Sequence, residues 1–172
     1  FTKEGGRVSD IGKRLQEVER RIEAARRRSP YGQDVILVAV TKFHPLENME
    51  EVLRLGVTQV GENRVQELKR KCEILVDLPL KWHFIGTLQK NKINQLITLK
   101  PVLWQSCNSF ELAVAVDKRL DYRLDTLLEI NVANEDSKSG ISADEAIDTY
   151  RKIKAECKNL NLVGVMSIGA HS

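Results

Sequence analysis

Apolar residues along this chain recur with two different periods, and segments of the two kinds alternate. Over residues 9–28 apolar side chains return every three or four positions, which predicts an amphipathic helix. The same spacing predicts later helices over residues 46–55, 63–76, 88–99, 109–119 and 143–157.

Short apolar or β-branched runs lie between these helices and predict strands. They cover residues 35–41, 57–61, 80–85, 102–105, 126–132 and 162–168. Several runs are apolar on both faces, which is typical of parallel strands covered by helices. The alternation therefore predicts an α/β fold with a parallel sheet. Because no Pro/Ser-rich linker or change of composition interrupts it, we expect one domain over residues 1–172.

Six strand–helix units can form either an open doubly wound sheet or most of a barrel. No GxGxxG follows the first predicted strand, and no GxxxxGK[ST] occurs in the chain, whereas a nucleotide-binding sheet usually carries one of them. This favours a (β/α)8 TIM barrel. Since such a barrel has eight strands, the expectation is a barrel truncated after its sixth strand and preceded by an extra N-terminal helix.

Composition and charge exclude several classes of protein. The net charge of +3 comes with a basic segment at 13–29, but glutamates interleave there at helical spacing, which is typical of a solvated helix face. Aromatic residues are only 5%, too few to indicate a nucleic-acid binder. No apolar run reaches membrane-spanning length, and the first residues do not resemble a signal peptide. Cys72, Cys107 and Cys157 lie far apart without CxxC spacing, so we expect no disulfide framework, no metal site and a cytoplasmic location.

The segment DVILVAVTKFHP ends an apolar strand in a single lysine, Lys42. Strand alternation gives Lys42 the same face as Val38 and Val40, at the strand's carboxyl end, where active groups of barrels lie. Burial there would lower the pKa of the amine from its usual value of about 10.4 and increase its neutral, nucleophilic fraction. A lysine whose stem packs while its tip reaches solvent fits the same pattern. Residue chemistry leaves both interpretations open.

Other predicted strand ends carry polar or polarisable side chains. Asn63 follows the second strand, where it could contact a ligand or cap the next helix. His83 lies on the third strand, opposite Trp82 and Phe84, as a ligand contact or a packed core histidine. Met166 and Ser167 end the sixth strand, and a methionine there can pack against a flat ring or fill the core.

Five stretches, in order along the chain, resemble one family: LVAVTKFHP, GENRVQE, WHFIGTLQKNK, NVANEDSKSGI and LVGVMSIG. They look like the successive signatures of the pyridoxal phosphate homeostasis proteins, single-domain relatives of the N-terminal barrel of alanine racemase. The resemblance implies a barrel of that type carrying pyridoxal 5′-phosphate, with Lys42 forming the internal aldimine. It also implies that Asn63, His83, Met166 and Ser167 line the cofactor.

The resemblance implies a cytoplasmic protein that binds, buffers and delivers this vitamin B6 cofactor without robust catalysis. Expected partners are pyridoxal phosphate and the apo-enzymes that use it, without nucleic acid or membrane, and the expected state is a monomer or weak homo-oligomer. The family's phosphate-binding loops lie past residue 172, so this chain alone is expected to bind the cofactor weakly.

Two enzymatic alternatives remain. One is a pyridoxal phosphate-dependent amino-acid racemase, although alanine racemase takes one of its acid/base groups from a second domain. The other is a cofactor-free Schiff-base lyase of the aldolase type, in which Lys42 would attack a carbonyl substrate.

Overall fold

The computed structural model describes residues 10–41, 46–132 and 139–169. Its helices are α1 (Asp10–Arg28), α2 (Leu46–Arg54), α3 (Val65–Ile74), α4 (Ile93–Leu99), α5 (Phe110–Asp117) and α6 (Ala143–Glu156), with a 3-10 turn at Lys90–Lys92. Its strands are β1 (Ala39–Val40), β2 (Gln59–Glu62), β3 (Lys81–Phe84), β4 (Leu103–Cys107), β5 (Leu124–Asn131), β6 (Ile141–Ser142) and β7 (Leu160–Met166).

All the strand pairs in the described residues are parallel, and the sheet follows chain order. The path runs β1-β2-β3-β4-β5, and β5 then pairs with both the short β6 and the longer β7. A doubly wound sheet reverses its strand order at a switch point, whereas a barrel adds each strand beside the previous one. The sequential order therefore confirms the predicted barrel type over the doubly wound alternative.

The hydrophobic core lies between the sheet and the helices that cover its outer face. Phe84 and Trp104 are fully buried on β3 and β4, and Leu128 is buried on β5. A smaller cluster joins Met49 of α2 to Val60 of β2. These residues alternate along the strands with side chains on the other face, so each strand has a helix-facing side and an interior side.

The first predicted strand was partly wrong. Pairing is confined to Ala39–Val40, and upstream of it Ile36 is 70% exposed, so the apolar run is not a fully buried strand. The physical reason is that β2, the described neighbour of β1, begins only at Gln59, one residue before the partner of Ala39, so the earlier part of the run has no strand beside it among the described residues. The other correction is β6, a two-residue strand too short to produce a visible alternation.

The basic segment forms α1, as predicted. Glu17 contacts Arg20 at 2.7 Å, and Glu23 contacts Arg26 at 3.1 Å and Arg27 at 3.2 Å, all along the helix surface. Such exposed pairs contribute little to stability. They show that three arginines of α1 pair with glutamates along the helix, as the interleaved pattern indicated.

Candidate functional site

The carboxyl ends of the parallel strands meet at one edge of the sheet, and the interior face leads up to that edge. On β2 the interior face contains Gly61, where an added Cβ would lie 3.3 Å from Ile85 Cδ1 and 3.4 Å from Val38 Cγ1. This contact places Val38 on the interior side. Because Gly61 has no side chain, these two apolar side chains can pack closely over its backbone.

A row of three hydrogen-bonded side chains crosses the interior face of β2, β3 and β4. His83 Nε2 lies 2.6 Å from Gln59 Oε1, and Gln105 Nε2 lies 2.8 Å from His83 Nδ1. The amide nitrogen of Gln105 donates to Nδ1, which leaves Nε2 as the protonated nitrogen that donates to Gln59. His83 is therefore a neutral imidazole held in one tautomer between two amides.

Burial also favours the neutral form of His83. The residue is only 6% exposed, and desolvation lowers the pKa of its imidazole from the ordinary value. The sequence put His83 on the face opposite Trp82 and Phe84 but gave no sign of its two glutamine partners. Trp82 and Phe84 pack into the core from the opposite face of β3.

Met166 lies on the interior face of β7, next to Glu129 of β5 in the strand register. The neighbouring Val165 lines a groove against α6, so Met166 points to the other side of the sheet. Its side chain is half-buried. Ser167 follows directly after the strand and is exposed. The structure thus puts both residues at the carboxyl end of β7, as predicted.

Glu129 is a buried carboxyl that the sequence interpretation missed. It is 4% exposed, and desolvation raises the pKa of its carboxyl above the ordinary value. A signal existed, because Glu129 directly follows the apolar residues Leu127 and Leu128 within the predicted strand. Glu129 brings a titratable group beside Met166.

Asn63 lies at the exit of β2, and its backbone is tightly packed against Gly86 at the exit of β3. A Cβ on Gly86 would lie 1.8 Å from the Asn63 carbonyl oxygen, so only glycine fits there. The N-cap of α3 is Arg64, with no side-chain cap hydrogen bond, so the interpretation of Asn63 as a helix cap was wrong. Asn63 instead lines a polar groove of about 340 Å³ together with Thr87 and Lys92.

Lys42 lies outside the described residues, but the structure describes Thr41, the residue immediately before it. Thr41 is 4% exposed, and its backbone N–H donates to the Gly61 carbonyl at 3.0 Å. Its hydroxyl donates to Glu62 Oε2 at 2.9 Å, on the helix-facing side of the sheet. The chain entering Lys42 is therefore anchored to β2.

A buried ion pair formed by Glu62 and Lys71 contacts Thr41. Lys71 Nζ lies 2.6 Å from Glu62 Oε2 and donates to the Thr41 carbonyl at 2.7 Å. The pair was not predicted from the sequence, although a signal for it was present. Lys71 continues the spacing of the buried residues Val65 and Leu68 on α3, so a lysine occupied a position on the helix's buried face.

Three further features of the described residues concern metal binding, membrane spans and cysteine reactivity. No group of three or more His, Cys, Asp or Glu residues there is arranged to hold a metal ion. No helix among the described residues is long and apolar enough to cross a membrane. Cys72, Cys107 and Cys157 are free, and burial raises the pKa of the Cys107 thiol to about 12, which makes it a poor nucleophile.

Known proteins match this architecture. The family model of the alanine racemase N-terminal domain matches residues 14–172. A Helicobacter pylori (strain J99) protein named pyridoxal phosphate homeostasis protein is 43% identical over 166 residues, covering 95% of this chain and 75% of that protein.

Two solved structures are also similar. The crystal structure of an unknown protein from Bifidobacterium adolescentis has a TM-score of 0.83 at 31% identity and covers 92% of this chain and 69% of its own. PipY of Synechococcus elongatus PCC7942, solved with PLP bound, has a TM-score of 0.71 at 28% identity and covers 90% of this chain and 72% of its own. The sequential parallel sheet, the family-model match and the identity to the Helicobacter relative agree, and the chain belongs to the pyridoxal phosphate homeostasis protein family, built on the alanine racemase N-terminal domain.

Proposed function

We propose that this protein binds pyridoxal 5′-phosphate through a Schiff base with Lys42 and serves cofactor homeostasis without robust catalysis. The observation that carries the proposal is the similarity to PipY, a 28% identical protein solved with this cofactor bound. The Helicobacter relative is named for homeostasis of the same cofactor rather than for a reaction.

The interior face offers surroundings that fit a flat, polar aromatic ring. His83 is neutral and held in one orientation by Gln59 and Gln105, so it can pack against a ring without introducing a positive charge. Met166 supplies a polarizable thioether, which makes favourable contacts with aromatic rings.

The anchored Thr41 supports Lys42 as the covalent attachment point. Its side chain points toward Glu62 and α3. Because consecutive strand residues alternate, we expect the next residue, Lys42, to project to the interior. When bound, the cofactor would supply an aldehyde group, and Lys42 would hold it through the amine of its side chain.

We further propose that Asn63 and Ser167 supply polar contacts at the ends of β2 and β7. Both lie where their strands reach the edge at which barrels bind ligands. The three free cysteines support a reducing cytoplasm as the location. Apo-enzymes that need the cofactor are the proposed recipients, and the proposed state is a monomer or weak homo-oligomer.

The test is to titrate purified protein with pyridoxal phosphate and follow the visible absorption of the imine. Borohydride reduction and peptide mass mapping should then place the phosphopyridoxyl group on Lys42. Lys42→Ala should lose the band, while Lys90→Ala, which removes an exposed lysine from the 3-10 turn, should keep it. A band that survives in Lys42→Ala contradicts the proposal.

The same preparation separates the enzymatic alternatives. Assays for racemisation of several amino acids should show no sustained turnover, and turnover at rates typical of enzymes would support the racemase instead. Borohydride trapping in the presence of sugar phosphates should give only the cofactor-derived adduct. A sugar-derived mass on Lys42 would support the Schiff-base lyase.

A further inference from the structure

We propose that Glu62 and Lys71 form a positioning pair that holds the end of β1 and thereby aligns Lys42 for imine formation. This inference rests on the proposed function of Lys42. Neither residue needs to touch the cofactor. Their effect would pass through Thr41, the residue covalently joined to Lys42.

The pair acts where the backbone ladder of β1 ends. β1 pairs with β2 through only two residues, Ala39 and Val40. The N–H of Thr41 still donates to Gly61, but the Thr41 carbonyl accepts from the Lys71 ammonium at 2.7 Å instead of from a strand. That carbonyl belongs to the same planar peptide group as the Lys42 N–H. A hydrogen bond from Lys71 therefore fixes one end of the peptide group that carries Lys42.

Glu62 connects the other contacts into a closed network. One of its oxygens, Oε2, accepts from Lys71 Nζ at 2.6 Å and from the Thr41 hydroxyl at 2.9 Å. The Thr41 hydroxyl is also 3.2 Å from the Gly61 carbonyl. Since Glu62 ends β2 and Lys71 belongs to α3, two separate elements hold Thr41. Both the side chain and the backbone of Thr41 are therefore constrained.

Stability alone is a weak explanation for this arrangement. The side chains of Lys71 and Glu62 are each 1% exposed, so both charges have left water. Desolvating such a pair is costly, and apolar side chains of similar volume often give equal or greater stability. What an apolar pair cannot supply is a charged donor directed at the Thr41 carbonyl. Reaction geometry is sensitive to such placement, because a shift of about 1 Å can slow a reaction about a hundredfold.

The test compares the double variant Glu62→Leu/Lys71→Met with wild type and with Lys69→Met, which removes an exposed lysine from the same helix. The measurements are melting temperature, hydrogen exchange of the Lys42 amide without cofactor, and the rate of imine formation after mixing with pyridoxal phosphate. We expect the double variant to melt close to wild type, because no unpaired charge stays buried. Its Lys42 amide should exchange about tenfold faster, and its imine should form at least about tenfold more slowly.

A purely structural role predicts a different result. If the double variant melts like wild type and also matches it in Lys42 exchange and imine rate, the positioning role is wrong. If the double variant proves unstable, Glu62→Gln replaces it in the test. This substitution keeps the size of the side chain but weakens its contact with Lys71, and it should also speed exchange of the Lys42 amide and slow imine formation. Failure of the wild-type protein to form an imine at Lys42 would instead overturn the proposed function, while amide exchange would still report whether the pair holds this segment.

Discussion

His83 and Gln59 are joined across β3 and β2 by a 2.6 Å hydrogen bond in which the imidazole N–H donates to the amide oxygen. Gln105 completes the arrangement by donating to the other ring nitrogen. Protonating His83 would put a second N–H against an amide N–H and would place a charge in a buried site. Folding and the charge on this ring are therefore linked.

Replacing His83 should change how stability responds to acid. Burial lowers the pKa of His83 in the folded protein below its ordinary value of 6.5, so the unfolded chain binds the extra proton first. Stability should consequently fall as the pH drops below about 6.5. His83→Gln should lower stability at neutral pH but weaken this decline. Chemical denaturation at pH values from 7.5 to about 5 measures it, and an unchanged pH profile would contradict the assignment.

A carboxylate in place of Gln105 should make the His83 imidazole favour its protonated form over its neutral form. Gln105→Glu puts an acceptor beside Nδ1 in place of the donor seen at 2.8 Å. An opposite charge this close favours the protonated imidazole, so the pKa of His83 should rise. NMR titration of the His83 ring signals measures the change. Gln95→Glu, on the exposed side of α4, should leave that titration where it is.

Glu129→Gln should stabilise the protein at neutral pH. Burial raises the pKa of the Glu129 carboxyl in the folded state, so the folded protein binds its proton more tightly than the unfolded chain. Stability is then lost as the pH rises from about 4.5 through the folded-state pKa. A neutral amide avoids that loss, and the gain should disappear at about pH 4. Melting curves at both pH values test this, with Glu111→Gln on the exposed surface of α5 as the comparison.

Gly86→Ala should strongly destabilise the exits of β2 and β3. Its Cβ would lie 1.8 Å from the Asn63 carbonyl oxygen, and this neighbour is backbone that cannot rotate away. Overpacking usually costs about 1–3 kcal/mol, and we expect the upper end of that range. Gly169→Ala has nothing within 4 Å of its Cβ and should be nearly neutral. Urea unfolding of the two variants provides the measurement, and equal stabilities would be incompatible with the close approach of the two strand exits.

Local pattern predicted much of this fold correctly. The amphipathic period placed α1 and α6 within a residue or two, because a helix forms its hydrogen bonds within its own segment. Strand length was harder to predict. The apolar run at 35–41 pairs only at Ala39–Val40, since a strand depends on a neighbour elsewhere in the chain.

The candidate site also combines features that the sequence pattern predicts with features that depend on the tertiary structure. Strand alternation was sufficient to put His83 on the face opposite Trp82 and Phe84, because side-chain direction follows from position along one strand. The partners of His83 could not be predicted in this way, since Gln59 and Gln105 come from strands 24 and 22 residues away. Lys71 reaches Thr41 across 30 residues for the same reason. Which polar groups meet depends on strand register and on how α3 packs against the sheet, and neither is contained in the period of a single segment.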